Sequence, residues 1–224
     1  MKSISVLRLA AILLCCMYLL GFASLQAQVN KWVNYTPNLT TVLKNPAMGW
    51  MMYEEGWSFQ GTRHNKSNIY TPEVFWEQME ECKAADYANI LYIRMLWKDL
   101  EPEEGKYAWI YNEQYKWYIQ KAKDKGLKLA FRVFFHGVDG VPSYVYEAGA
   151  TESPIDDEGK TQPYYDNPVF LEKLDKFVEA FAKEYDNPDE VDYIDAYGLG
   201  RWGEGHGLAL EKKENLETVI RQVT

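Results

Sequence analysis

Between Asp192 and Gly207 the chain reads DYIDAYGLGRWGEGHG, and within that stretch Glu204 stands among glycines with Arg201, Trp202 and His206 as neighbours. A glutamate placed at random on a soluble protein is a solvated charge. One set beside a large flat ring and two nitrogen donors has the surroundings of a ligand-binding group. Glycines at 200, 203, 205 and 207 allow a positive φ or a close approach of backbone to a ligand. Ring faces combined with carboxylate, guanidinium and imidazole groups suit a molecule with hydroxyl edges and apolar C–H faces, which describes a sugar. A metal fits less well. Glu204 and His206 are two apart and His136 falls at the same rim, but no HExxH or CxxC spacing occurs and His64 lies among polar residues. The expectation is no metal and no cofactor.

Such groups need elements to hold them. NPAMGWMMYEEGW reads as a first strand ending near Glu54, and TPEVFWEQMEECKAAD as a helix with Thr71 as N-cap, Pro72 at its first position, and Phe75, Met79 and Cys82 on one face. ANILYIRMLW is apolar almost throughout, as a strand covered on both faces should be. NEQYKWYIQKAKDKG follows with Tyr115, Tyr118, Ile119 and Ala122 at helical spacing and Gly126 as the stop. LKLAFRVFF gives a third strand, and a helix from Asn167 and Pro168 carries Phe170, Leu171, Leu174, Phe177, Val178 and Phe181 as its buried stripe. EVDYIDAYG gives a fourth strand, and EKKENLETVIRQVT a fourth helix with Leu216, Val219, Ile220 and Val223 in register.

Strands alternating with helices imply an α/β fold with a parallel sheet and right-handed crossovers. Doubly wound nucleotide folds place G-x-G-x-x-G or G-x-x-x-x-G-K-[ST] after their first strand, and neither occurs here. A (β/α)8 barrel of the TIM type is therefore expected, cut to about its first four units, because eight units take about 250 residues. Barrel chemistry sits where strands end. Those positions hold Glu54, Glu55 and Trp57 after strand one, Arg94, Trp97, Lys98 and Asp99 on and after strand two, Arg132, Phe135 and His136 on and after strand three, and Arg201, Trp202, Glu204 and His206 after strand four. For Trp50, Trp97 and Trp109, plugging the core and lining a site are equally open readings.

Residues 1–27 begin with Lys2 and Arg8, run apolar through LAAILLCCMYLLGFA and end in SLQAQ, the pattern of a cleaved secretory signal, which places the protein outside the cell or in a periplasm. Residues 28–45 form a polar lead, and 46–224 the partial barrel. Cleavage removes two positive charges and no acid, so the formal charge of −9 becomes −11, which argues against nucleic acid or an anionic membrane as partner. It also removes Cys15 and Cys16, leaving Cys82 alone without an intrachain disulfide. Nothing in the sequence fixes the oligomeric state. Asn34, Asn38 and Asn65 head Asn-x-Ser/Thr triplets that matter only in a glycosylating host. TESPIDDEGKTQ reads as an acidic loop able to lid a pocket, and YDNP at 165–168 and 185–188 as an N-cap with N1 proline and a helix stop respectively.

LYIRMLWKDLEPEEGKYAW resembles the segment after strand two in clan A barrel glycoside hydrolases, especially the β-galactosidase-like families, and GLKLAFRVFFHG, VPSYVYEAGA and VDYIDAYGLGRWGEGHG are similar to their strand three, its loop, and strand four. The resemblance spans roughly residues 45–210. It implies a secreted protein that hydrolyses O-glycosidic bonds in oligo- or polysaccharides, with the 97–109 loop beside the sugar and Glu204 as general acid/base. Trp57, Arg94, Trp97, Arg132, His136, Arg201, Trp202 and His206 are the expected sugar-binding residues. Trp202 would shield the carboxyl from water, and Arg201 and His206 would favour its charged form. Gly203 stands where the clan places an asparagine, which leaves open a barrel that binds carbohydrate without cleaving it. The clan's second carboxylate ends strand seven, which four units do not reach, so the 224-residue chain is expected to be catalytically inert alone.

Overall fold

The computed structural model describes residues 36–38, 40–41, 49–54, 71–135, 140–154, 161–195, 198–200 and 203–223. The signal segment, Asn34, Asn65, Glu55, Trp57, His136, Arg201, Trp202, the middle of the 151–162 loop and the side chains of Glu54 and Val223 lie outside the described residues. The chain divides into two units, Met1–Thr41 and Val42–Thr224. In the first, the Asn38 side-chain oxygen accepts the amides of Thr40 and Thr41 at 3.0 and 3.1 Å, closing a local turn. All of the regular structure described belongs to the second.

Four strands, β1 (Trp50–Glu54), β2 (Ala88–Leu96), β3 (Lys128–Phe134) and β4 (Val191–Ile194), form one parallel sheet in the order β1-β2-β3-β4. Along the chain the helices are α1 (Pro72–Glu81), α2 (Ala84–Tyr87), α3 (Trp97–Leu100), α4 (Ala108–Tyr111), α5 (Glu113–Asp124), α6 (Ser143–Glu147), α7 (Pro168–Tyr185) and, after a 3-10 turn at Lys213–Asn215, α8 (Leu216–Val223). Strand order equal to chain order means that each crossover advances in the same direction. With crossovers of one hand, every helix is then laid on the same face of the sheet. That is the barrel arrangement, since a doubly wound sheet must reverse direction to cover both faces.

The side chains confirm the one-sided cover. Leu91, Ile93 and Met95 of β2 and Leu129, Phe131 and Val133 of β3 are buried and belong to the main core with Phe75, Tyr115, Tyr118, Phe170, Leu174, Phe177 and Phe181 of the helices. The opposite face of β1 and β4 leaves Met51, Tyr53 and Tyr193 exposed.

Helix signals in the sequence match the caps. Thr71 accepts the Val74 amide, Asn112 that of Tyr115, and Asn167 those of Val169 and Phe170, with prolines at 72 and 168 just inside α1 and α7. Among the described residues, three positions assigned to apolar stripes are exposed. Cys82 lies outside as the C-cap of α1, and Trp76 fills the core in its place. Val178 and Leu216 also face out, at the margins of stripes that Leu174, Phe177, Phe181 and Val219 complete.

Asp166 ties the last segment down. Its carboxylate accepts the amides of Glu211 and Lys212 at 2.7 and 2.9 Å and the Asn215 side chain at 3.0 Å. Burial opposes its charge, but these donors outweigh burial and hold its proton affinity below the ordinary value of 3.8. A lowered carboxylate stabilises the fold above its ordinary value, and that contribution is lost as the pH falls through the folded value. Asp166→Asn should therefore cost about 1–2 kcal/mol in denaturant melts at neutral pH, with the gap to wild type closing in acid as the pH falls from 3.8 through the lowered folded value.

Candidate functional site

Parity along each strand decides which side chains look away from the helices. In β2 these are Tyr92 and Arg94, in β3 Ala130 and Arg132, and the ladder pairs Tyr92 with Ala130 and Arg94 with Arg132. Tyr53 of β1 pairs with Tyr92, and Tyr193 of β4 with Ala130. The ladder runs one residue beyond β4, where the Asp195 amide donates to the Phe131 carbonyl at 2.7 Å, so Asp195 stands on the same face as Tyr193. The helix-free wall thus carries three tyrosines, two arginines and an aspartate.

These groups bond to one another. Arg132 presents its Nε and one terminal nitrogen to Asp195 Oδ2 at 2.7 and 2.6 Å, and its other terminal nitrogen lies 3.5 Å from Glu204 Oε1. The Tyr92 hydroxyl donates to the same Asp195 oxygen at 2.8 Å. Burial, and then the hydrogen bond and charge of Asp195, push the Tyr92 hydroxyl far above its ordinary range, so it stays a donor. The Tyr92 ring lies between those of Tyr53 and Tyr193, at centroid distances of 5.4 and 5.9 Å. Burial works against the charge of Arg132, but Asp195 leads the groups that outweigh it and raise the guanidinium's proton affinity.

Glu204 comes from the turn after β4. The Gly198 carbonyl accepts the Phe135 amide, the Gly203 amide donates to the Gly200 carbonyl, and the Gly205 amide to the Leu199 carbonyl. Gly200, Gly203, Gly205 and Gly207 all have positive φ, as the glycine spacing predicted. Gln162 fastens the far side by donating to the Gly207 carbonyl at 2.9 Å. The side chain of Glu204 is 47% exposed, and His206 Nε2 lies 3.7 Å from its second carboxyl oxygen.

Of the expected sugar-binding residues, Arg132 and His206 therefore meet Glu204, the expected acid/base. Arg94 lies next to Arg132 on the same wall, buried, donating to the Tyr53 hydroxyl at 2.7 Å with its guanidinium over the Phe134 ring. Trp57, His136, Arg201 and Trp202 lie outside the described residues.

Trp97 is a correction. It opens α3, has no exposed surface, packs against Phe135, Phe170 and Phe177, and donates its Nε1 to Glu101 at 2.8 Å. Parity explains this, because Trp97 is three residues past Arg94 and cannot share its face. Trp109 is also core, stacked on Tyr107 and set against Phe181 and Tyr185 of α7, whereas Trp50 is exposed. The 97–109 segment thus packs on the helix side. A recess of about 440 Å³ lies there, lined by Glu101, Glu104, Tyr144, Lys173 and Lys183 among others. Lys173 pairs with Glu104 across it at 2.7 Å.

Asp195 and Tyr92 were missed. Their signal is the alternation ILYIRML and DYID, in which polar or hydroxyl-bearing side chains recur every second position of strands otherwise apolar enough to be covered on both faces.

No family model matches the chain, and no curated protein matches it. Among solved structures it is similar to a β-glucosidase from Exiguobacterium marinum (15% identity, TM-score 0.43, covering 68% of this chain and 31% of that one). It is similar as well to a β-glucosidase from Exiguobacterium antarcticum (16%, 0.43, 68% and 31%) and a β-galactosidase from Rahnella sp. R3 (16%, 0.46, 69% and 22%). The chain spans less than a third of the length of each. The barrel assignment rests on strand order and one-sided helix cover.

Proposed function

We propose that this chain forms the first four βα units of a secreted, glycoside hydrolase-like barrel acting on O-glycosidic bonds of oligo- or polysaccharides, with Glu204 as the general acid/base. The observation that carries the reading is the Glu204 carboxyl group, half exposed beyond the C-terminal edge of the parallel sheet and set between Arg132 and His206. Strand ends at that edge are where barrel enzymes place their reacting groups. The Glu204 proton passes to the glycosidic oxygen as its bond to the anomeric carbon breaks, and the leaving group departs as an alcohol. The oxygen of water ends on the anomeric carbon, its proton going to a carboxylate. Asp195 is not offered as the second carboxylate, because its Oδ2 already accepts from Arg132 and Tyr92. The resemblance assigns that role to strand seven. The leader at residues 1–27 supports export, and the acidic charge balance supports a neutral carbohydrate partner rather than nucleic acid or an anionic membrane.

The test uses the full-length product of the source gene with 4-nitrophenyl β-glucoside, 4-nitrophenyl β-galactoside and a set of oligosaccharides. Glu204→Gln should lower turnover by about 10²–10⁴-fold while sugar binding, followed by calorimetry, survives. Unchanged turnover would sink the assignment. Gly203, standing where the resembling enzymes have asparagine, favours a second reading, a sugar-binding barrel without hydrolysis. It predicts binding with no turnover in the wild-type protein.

A further inference from the structure

We propose that Asp195 is a positioning residue for Glu204, acting through Arg132. This rests on the hydrolase reading above and extends it to a group that touches neither substrate nor reacting atoms. A guanidinium is planar and offers two edges. Asp195 Oδ2 takes the edge formed by Nε and one terminal nitrogen, at 2.7 and 2.6 Å, which fixes the plane and leaves the other terminal nitrogen 3.5 Å from Glu204. Asp195 is itself held, since its amide bonds the Phe131 carbonyl and its Oδ2 accepts the Tyr92 hydroxyl, with Tyr92 on the central strand β2 between two tyrosine rings. A continuous series of contacts therefore runs from the sheet to the carboxyl group at its edge.

Glu204 needs that series. Backbone bonds at 199/205 and 200/203 place its Cα, but its side chain rotates about three bonds and is half exposed, flanked by Gly203 and Gly205. Among the described residues, Arg132 and His206 are the charged or chargeable groups in contact with its carboxyl oxygens. A 3.5 Å contact from a locked guanidinium steers the group without the bidentate pairing that would hold it away from a glycosidic oxygen.

The test is a double-variant cycle in the full-length gene product on 4-nitrophenyl and 2,4-dinitrophenyl glycosides of the sugar turned over fastest. Asp195→Asn keeps the shape and removes the charge, and Arg132→Lys keeps a charge without the fork. Each should lower kcat on the 4-nitrophenyl glycoside about tenfold with KM within about twofold, because the lost interaction serves the transition state. The loss in kcat/KM, which reports the bond-breaking step, should shrink to about threefold or less with the dinitrophenyl leaving group, which departs without a proton. In a Glu204→Gln background neither substitution should lower kcat further by more than about twofold, since the group they position is gone. Equal losses with both leaving groups, or losses that multiply in the Glu204→Gln background, would overturn the proposal and make Asp195 a structural or sugar-contacting residue. A wild-type protein that hydrolyses none of these glycosides removes the hydrolase reading, and the positioning role falls with it.

Discussion

Glu101→Ala should lower the unfolding free energy by about 3–4 kcal/mol, because it orphans several donors at one buried point. Glu101 is 2% exposed. Its Oε2 accepts the Trp97 indole at 2.8 Å and the Tyr144 hydroxyl at 2.7 Å, and its Oε1 accepts the Gly105 amide at 2.8 Å. One side chain thus joins α3, the 101–107 turn and α6. Burial and then the Glu101 hydrogen bond push the Tyr144 hydroxyl far above its ordinary range, so Tyr144 stays a donor at any working pH. Orphaned buried donors cost about 1–3 kcal/mol each, but the recess beside Glu101, Gly105 and Tyr144 admits water to part of the vacated space, which places the sum near the low end. In a domain of this size the loss lowers Tm by about 10 °C. Glu101→Gln keeps the shape and one acceptor and should cost less than half as much. A loss below about 1 kcal/mol for the alanine variant would show that the three donors find other partners, and the anchoring role would be abandoned.

That anchor explains why the fold was more legible than the site. Apolar runs at 88–96 and 128–134, helical stripes ending at Gly126 or opened by Thr71 and Asn167, and the absence of nucleotide-fold glycines specify a parallel sheet of four βα units, because each signal is local in the chain. Site membership depends instead on parity at a strand's last residue. Trp97 reads as a rim residue when every position near a strand's end is counted, and as core once it is seen to share the parity of Ile93 and Met95 and α3 sets its ring against Phe135 and Phe177. Glu101, two positions before Glu103 in LEPEEG, reads as one more solvated acid, and only the folded turn shows three donors converging on it. Asp195 and Arg132 are 63 residues apart, so their pairing has no local signature. Glu204 stands out as a candidate because glycines on both sides mark an unusual backbone, which the positive φ of Gly203 and Gly205 bears out, and that signal is local.

The same backbone carries the second large effect. On the hydrolase reading proposed above, Gly200→Ala should lower turnover of 4-nitrophenyl glycosides by the full-length protein about 100-fold, with a stability loss of about 2–3 kcal/mol. Gly200 has φ +74°, and a methyl group on its Cα would stand 2.5 Å from the His206 carbonyl oxygen and 3.0 Å from the His206 nitrogen. Both are backbone atoms, so relief requires the 203–207 turn to move, and Glu204 sits in that turn. Gly126→Ala separates strain from displacement. Gly126 has φ +70° with no atom near the methyl position, so alanine there costs only the left-handed strain of about 1–2 kcal/mol and leaves turnover at the wild-type level. The measurement is thermal unfolding and kcat/KM on both variants. If Gly200→Ala matches Gly126→Ala in both, the close approach of Gly200 to His206 does not set the position of Glu204. If stability falls alike but turnover falls only in Gly200→Ala, the glycine turn is holding the carboxyl group where the reaction needs it, because a shift of about 1 Å in a reacting group is enough to account for the loss.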